Sequence, residues 1–179
     1  TTDIYTLSLH DALPISGDIQ QSAPFFHRVE ELRLPVRMVT AEEAELAREE
    51  LARLEKAPAA QRNRAILMAR ARGVIERYQR QDGARQLPVE VHVMRLGDLA
   101  FATNPFELFL DYGIRMKARS RAGQTFIIQL ACGSAGYLPT ARAVAGGGYG
   151  AEIASNRVGP EGGEVLVNRT VALINALFE

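Results

Sequence analysis

NPFELFLDYG, residues 104–113, is the stretch on which the reading of this chain turns. Asn104 and Pro105 have the residue types of a helix N-cap followed by a first helical position, and Glu107 stands three residues after the asparagine. That spacing predicts a helix from Pro105 to about Ser120, with Glu107 in its first turn. A carboxylate there serves the free backbone amides and the positive end of the helix dipole. The same carboxylate has a second use, as a ligand to a metal ion. The two uses compete, because an oxygen committed to a cation is less available to the backbone. Local sequence by itself favours the cap.

Outward from this stretch, the chain alternates between strand and helix patterns. VEVHVMRLG (89–97) has Val89, Val91 and Val93 on one side, and DLAFATN (98–104) is a second apolar strand. Gly97 and Asp98 between them mark a hairpin. TFIIQLA (125–131) is continuously apolar, as in the interior of a sheet, and CGSAGYLPT (132–140) reads as a loop at its carboxyl end. AVAGGGYGAEIA (143–154) is glycine-rich and irregular. Its GGGYG core reads as a flexible loop, because a phosphate cradle would need a lysine and a strand–turn–helix setting. GPEGGEVLVNRTVALINALF (159–178) is an amphipathic helix with Leu166, Val167, Val171, Ile174 and Leu177 toward the core.

Earlier in the chain, LPVRMVT (34–40) reads as a short strand. Thr40 with Glu43 forms a capping box, opening a helix that buries Ala44, Ala47, Leu51 and Leu54. A second helix is expected from about Ala60 to Gln79, burying Ile66, Ala69, Val74 and Tyr78. Its arginines (Arg62, Arg64, Arg70, Arg72, Arg77 and Arg80) read as solvated surface, since the glutamates of the preceding helix offset their charge. The predicted class is α/β, a mixed sheet with flanking helices.

The 179 residues suffice for one domain with a sizeable core. Basic and acidic residues balance at 21 each, so there is no electrostatic footprint for nucleic acid or an anionic membrane. The single cysteine, Cys132, excludes an intrachain disulfide. No apolar run approaches the ~20 residues of a transmembrane helix, and no signal peptide is visible. The compartment is therefore not legible from composition. TTDIYTLSLHDALPIS (1–16) resembles translated sequencing-adapter read-through, or a disordered tail, and joins abruptly to GDIQQSAPFF. Tyr5, His10 and Asp11 are accordingly set aside, and the protein proper is expected to begin at Gly17 with an N-terminal portion missing. The sheet would then be incomplete, with exposed apolar edges that favour association.

Few residues carry chemistry by pattern alone. Tyr137 follows a buried strand, where α/β proteins place functional groups, although a lone loop tyrosine is more often structural. His92 faces away from the valines of its strand and reads as an ordinary half-buried residue. His27 has no partner at metal-ligand spacing, and Cys132 reads as a small core hydrophobe without a nearby base. No two-histidine helix motif, paired-cysteine motif, nucleophile elbow or phosphate loop is present.

From residue 87 to 142 the chain resembles the later part of the neutral/alkaline, non-lysosomal ceramidase family. The segments VMRLGDLAFATNPFELFLDYGIRMKARS and TFIIQLACGSAGYLPT carry the resemblance. In that family a strand ends in a Pro-Gly-Glu-Phe-like turn that opens a helix, and a second strand ends in an Asn-x-Tyr-x-x-Tyr-x-Thr-Thr-like loop. The Glu of the first motif and the last Tyr of the second are zinc ligands, which fall here on Glu107 and Tyr137. The first motif lacks the Gly before Glu. In the second, Cys132 and Ser134 replace Asn and the first Tyr, and Pro139-Thr140 replaces Thr-Thr. The chain is thus more similar to divergent bacterial members.

The resemblance implies that residues 17–179 are the C-terminal portion of a single ceramidase-like catalytic domain. The intact protein would hold Zn2+ and cleave an N-acyl amide in a lipid-like substrate, in a secreted or periplasmic setting. The family's two histidine ligands and catalytic serine lie upstream of the resembling segments, so the isolated chain is expected to be inactive. Two alternatives stand beside this one. In the first, the domain has lost catalysis and binds a ligand or partner, with Glu107 only a cap. In the second, the same scaffold hydrolyses a different amide or ester.

Overall fold

The alternation at 89–97 and the turn at Gly97 and Asp98 produce the predicted hairpin, and the sheet extends from both of its sides. The computed structural model describes residues 22–58, 61–83 and 85–179; Tyr5, His10, Asp11 and the whole 1–16 segment lie outside them. Strand β1 (Phe25–Pro35) is followed by helices α1 (Ala41–Lys56) and α2 (Arg64–Arg80), then β2 (Gln86–Leu96), β3 (Leu99–Thr103) and the short β4 (Glu107–Leu108). Helix α3 (Leu110–Arg119), β5 (Gln124–Ile128), the short β6 (Tyr137–Leu138), α4 (Ala141–Gly146) and α5 (Pro160–Ala176) complete the order. The main sheet runs β1-β2-β3-β5, with β1, β2 and β3 antiparallel and β5 parallel to β3. This is the mixed α/β class the sequence predicts.

One face of the sheet makes the core. Leu32 and Leu34 of β1, Val89, Val91 and Val93 of β2, and Ala100 and Ala102 of β3 are all buried. Against them lie Leu166, Val167, Val171 and Ile174 of α5, as the helical spacing predicts, with Tyr112 and Met116 of α3. Leu177, just past the end of α5, is only half-buried. On the other face, Phe25, Val29, Leu96, Phe126 and Ile128 remain exposed. The capping box of α1 is present: Thr40 Oγ1 accepts from the Glu43 amide, and Glu43 accepts from the Thr40 amide.

Several sequence expectations are corrected. The first strand is not 34–40 but Phe25–Pro35, paired residue for residue with β2. Arg28 and Glu30 lie on the same face of the strand as the buried Leu32 and Leu34 and interrupt its period, and pairing with a distant segment overrides weak local preference. In α2, Ile66 and Ala69 are exposed, while Ala71 and Val74 are buried. The buried stripe is Leu67, Ala71, Val74 and Tyr78, a helical spacing set by α1 rather than by the most apolar residue. The arginine face is not wholly solvated. Arg77 is half-buried and donates to the carbonyls of Ile153, Asn156 and Arg37. Burial, with Arg37 beside it, pulls its pKa down. Strand β5 is not interior: it pairs only with β3 at the edge of the described sheet, leaving Phe126 and Ile128 outward.

Candidate metal-binding residues

Glu107 does not cap a helix. Asn104 closes a tight turn instead, its Oδ1 accepting from the Phe106 amide at 3.1 Å. Phe106, with no exposed surface, anchors the segment in the core. The chain stays extended through β4, and α3 begins only at Leu110, with Phe109 as N-cap. The residue types of a helix start are present, but Asn104 uses its side chain two residues on, in the local bond that makes asparagine favour turns.

A ladder of backbone hydrogen bonds ties this segment to the stretch after β5. The Asn104 amide donates to Ile128, Ala131 to Asn104, Ala135 to Pro105, and Glu107 to Gly136. The outcome is the short parallel pair of β4 and β6, in which Glu107 is the register partner of Tyr137 and Leu108 of Leu138. Two residues 30 apart in sequence are thereby set side by side, beyond the carboxyl ends of the parallel strands β3 and β5. That end of a parallel sheet is where α/β folds place ligands. Tyr137 has its pKa raised, first by the Glu107 carboxylate beside its hydroxyl, then by desolvation and by the negative charge of that carboxylate.

Aromatic rings fix Tyr137 from two sides. Phe109 meets it edge-on at 6.5 Å between centroids, and Tyr149 does so at 5.7 Å. Tyr149 lies under the guanidinium of Arg70, 4.6 Å from its centroid, in a cation–π contact. Of the glycine-rich stretch expected to be a flexible loop, Tyr149 and Gly150 lie against Tyr137, while Gly146, Gly147 and Gly148 are exposed. A Cβ on Gly150 would lie 3.0 Å from Tyr137 Cδ1 and 3.2 Å from the Phe109 ring. Gly150→Ala should therefore cost about 1–2 kcal/mol, an overpacking effect. An unchanged urea midpoint would show that the rings give way freely.

An apolar cleft of about 200 Å³ starts at the residue after Glu107, lined by Leu108, Phe109, Leu110, Ile114 and Ile127 among others. Leu110 and Ile114 are largely exposed, so the cleft opens to solvent.

A second group of side chains escaped sequence reasoning. Cys132 is exposed rather than buried. Its Sγ, a Glu90 oxygen and a His92 ring nitrogen all lie within 4.8 Å of one another. His27, which has no partner at metal-ligand spacing in sequence, brings Nε2 to 2.9 Å from His92 Nδ1, with the planes of the two rings 12° apart. His92 Nε2 lies 2.9 Å from Glu90 Oε1. Strand alternation does place Glu90 and His92 on one face; only the β1–β2 register and the path of the loop after β5 add the other two.

No protein-family model, curated protein or solved structure matches the chain.

Proposed function

We propose that this chain is the later part of a zinc-dependent amide hydrolase of the neutral/alkaline ceramidase type, with Glu107 and Tyr137 as two of the metal's ligands. The observation that carries the reading is the β4–β6 pairing. The two residues singled out by the resemblance, 30 apart in sequence, are direct register partners, and the Glu107 carboxylate is near enough to raise the pKa of the phenol. The donor set fits: an anionic carboxylate and a phenol, both oxygens, at a half-exposed position. When bound, zinc supplies Lewis acidity toward an amide carbonyl and lowers the pKa of bound water toward ~7.

The chain's own residues have defined tasks in this reading. Glu107 contributes negative charge. Tyr137 holds its proton against that charge until a cation replaces it. Phe109 and Tyr149 restrict the phenol ring to one orientation. The cleft lined by Leu108, Leu110 and Ile114 suits the hydrocarbon part of an N-acyl, lipid-like substrate.

A hydrolytic zinc takes about three protein ligands plus water. The remaining donors and the nucleophilic machinery therefore belong to polypeptide preceding these residues, and this chain alone is inactive. The uncovered Phe25, Val29, Leu96, Phe126 and Ile128 are in keeping with a sheet face that packs against such polypeptide.

Glu107→Gln in the protein encoded by the complete gene tests the proposal. The amide has nearly the shape of the carboxylate, so charge is removed with little change of shape. Zinc affinity should fall at least about 10-fold, and hydrolysis of an N-acyl amide lipid about 100-fold or more. Unchanged zinc content together with unchanged hydrolysis would refute the ligand role.

A further inference from the structure

The group formed by His27, Glu90, His92 and Cys132 shares no residue with the Glu107–Tyr137 pair, and its chemistry differs. It joins a thiol, a carboxylate and imidazole from β1, β2 and the loop after β5. Cys132 is held at φ 59° and the nearby Leu130 at φ 54°. For residues that carry a Cβ, this left-handed conformation is strained. That strain is borne at the loop whose path brings the sulfur to the two strand residues.

The hydrogen bonds settle the proton positions in the neutral histidines. Glu90, as a carboxylate, only accepts, so His92 Nε2 carries the proton given to it. His92 Nδ1 must then accept, and His27 Nε2 donates to it. Both nitrogens of His92 are thereby engaged, and neither is free to take a proton from Cys132. In that tautomer His92 is no base for the Cys132 thiol. Together the four side chains suit a metal. If both histidines shift to the other tautomer, His92 Nε2 presents a lone pair beside Glu90 and Cys132, and its Nδ1–H donates to His27. A ligating histidine whose second nitrogen is held this way has its ring orientation fixed.

We propose that Glu90, His92 and Cys132 bind a thiophilic divalent first-row cation, with Zn2+ as the favoured occupant, and that His27 orients His92. Tetrahedral zinc with bonds of about 2.0–2.3 Å sets its ligand atoms roughly 3.5 Å apart. Atoms already within 4.8 Å need only a small closure, which exposed side chains can make. The mixed sulfur, nitrogen and oxygen set disfavours Mg2+ and Ca2+, which take oxygen ligands. Binding releases one proton, from the Cys132 thiol, and forms one metal–sulfur bond.

Co2+ titration of the full 179-residue chain, reduced and freed of metal with a chelator, tests this. Cys132 is the chain's only cysteine, so a near-ultraviolet thiolate-to-cobalt charge-transfer band reports on that residue alone. The expected result is a band saturating at one cobalt per chain, absent in Cys132→Ser and displaced by Zn2+. His92→Ala should weaken cobalt binding at least about 10-fold, and His27→Ala about 10-fold with the band retained. Glu107→Gln and Tyr137→Phe should leave the titration unchanged, which separates this site from the proposed hydrolytic one. Absence of the band at stoichiometric cobalt, saturation at one cobalt per two chains, or a band indifferent to His92→Ala would each overturn the assignment. Circular dichroism of every variant shows whether the fold is kept; the substituted side chains are exposed or half-buried.

Discussion

Gly163→Ala should lower the stability of this fold by about 3 kcal/mol, enough to drop the melting temperature by roughly 6–12 °C in a chain of this size. A Cβ at that position would lie 2.2 Å from the Tyr112 hydroxyl oxygen and 2.3 Å from the ring carbon that bears it. The ring cannot swing aside. Tyr112 is 1% exposed, and its hydroxyl donates to the Pro139 carbonyl at 2.9 Å. The adjustment therefore falls on α5, whose Leu166, Val167 and Ile174 are fully buried against the sheet. Moving that helix loosens the main core, while moving Tyr112 breaks a buried hydrogen bond worth about 1 kcal/mol. Gly73, in the interior of α2, is the control. A Cβ there meets nothing within 4 Å, so Gly73→Ala should stabilise by about 0.5–1 kcal/mol through helix propensity. A double-mutant cycle with Tyr112→Ala isolates the contact. An identical cost of Gly163→Ala with and without the tyrosine ring would dispose of the clash as its cause.

The same glycines show what the sequence does and does not disclose. GPEGGEVLVNRTVALINALF reads plainly as an amphipathic helix, and its predicted inward residues do face the core. The Val89, Val91 and Val93 alternation and the Gly97 hairpin are equally direct. These signals are local, set by a period or a turn. That Gly163 must lack a side chain is not local, since the reason lies on α3, some fifty residues away. Strand β1 was missed on similar grounds. FFHRVEELRLP carries Arg28 and Glu30 on the same face as its buried Leu32 and Leu34, and gains its conformation from eleven paired residues of β2.

The candidate site divides in the same way. Asn104, Pro105 and Glu107 have the residue types of a helix start, and propensity alone places the helix five residues too early. Asn104 instead turns the chain locally, and the amides beyond it bond to the 128–138 segment. The adjacency of Glu107 and Tyr137 comes from that parallel pairing, which no periodicity foretells. Only the family resemblance singled out the two residues together. Cys132 shows the opposite failure. Its position after an apolar strand suggested burial, but the backbone turns left-handed there and carries the sulfur outward.

Tyr112 should also make the protein labile at high pH. Burial first, then the negative charges of Glu164, Glu161 and Asp111 against the partial relief of Arg115, push its pKa up to about 12 from an ordinary value of 10. The neutral phenol is thus the form the fold accepts. A tyrosine whose pKa is higher folded than unfolded adds stability that is fully present below pH ~10. The unfolded chain ionises first, so that stability drains away as pH rises from ~10 toward ~12. A difference of about two pKa units amounts to roughly 2–3 kcal/mol. Urea midpoints at stepped pH should therefore fall steeply over this window. Tyr137, with its pKa raised by Glu107, adds a smaller slope of the same sign. Tyr112→Phe separates the contributions. It should cost about 1 kcal/mol at neutral pH, because the Pro139 carbonyl loses its donor. It should then lose much less between pH ~10 and ~12 than the parent chain, so that the two stability curves converge and cross. Parallel curves across that window would mean that Tyr112 does not govern the alkaline transition.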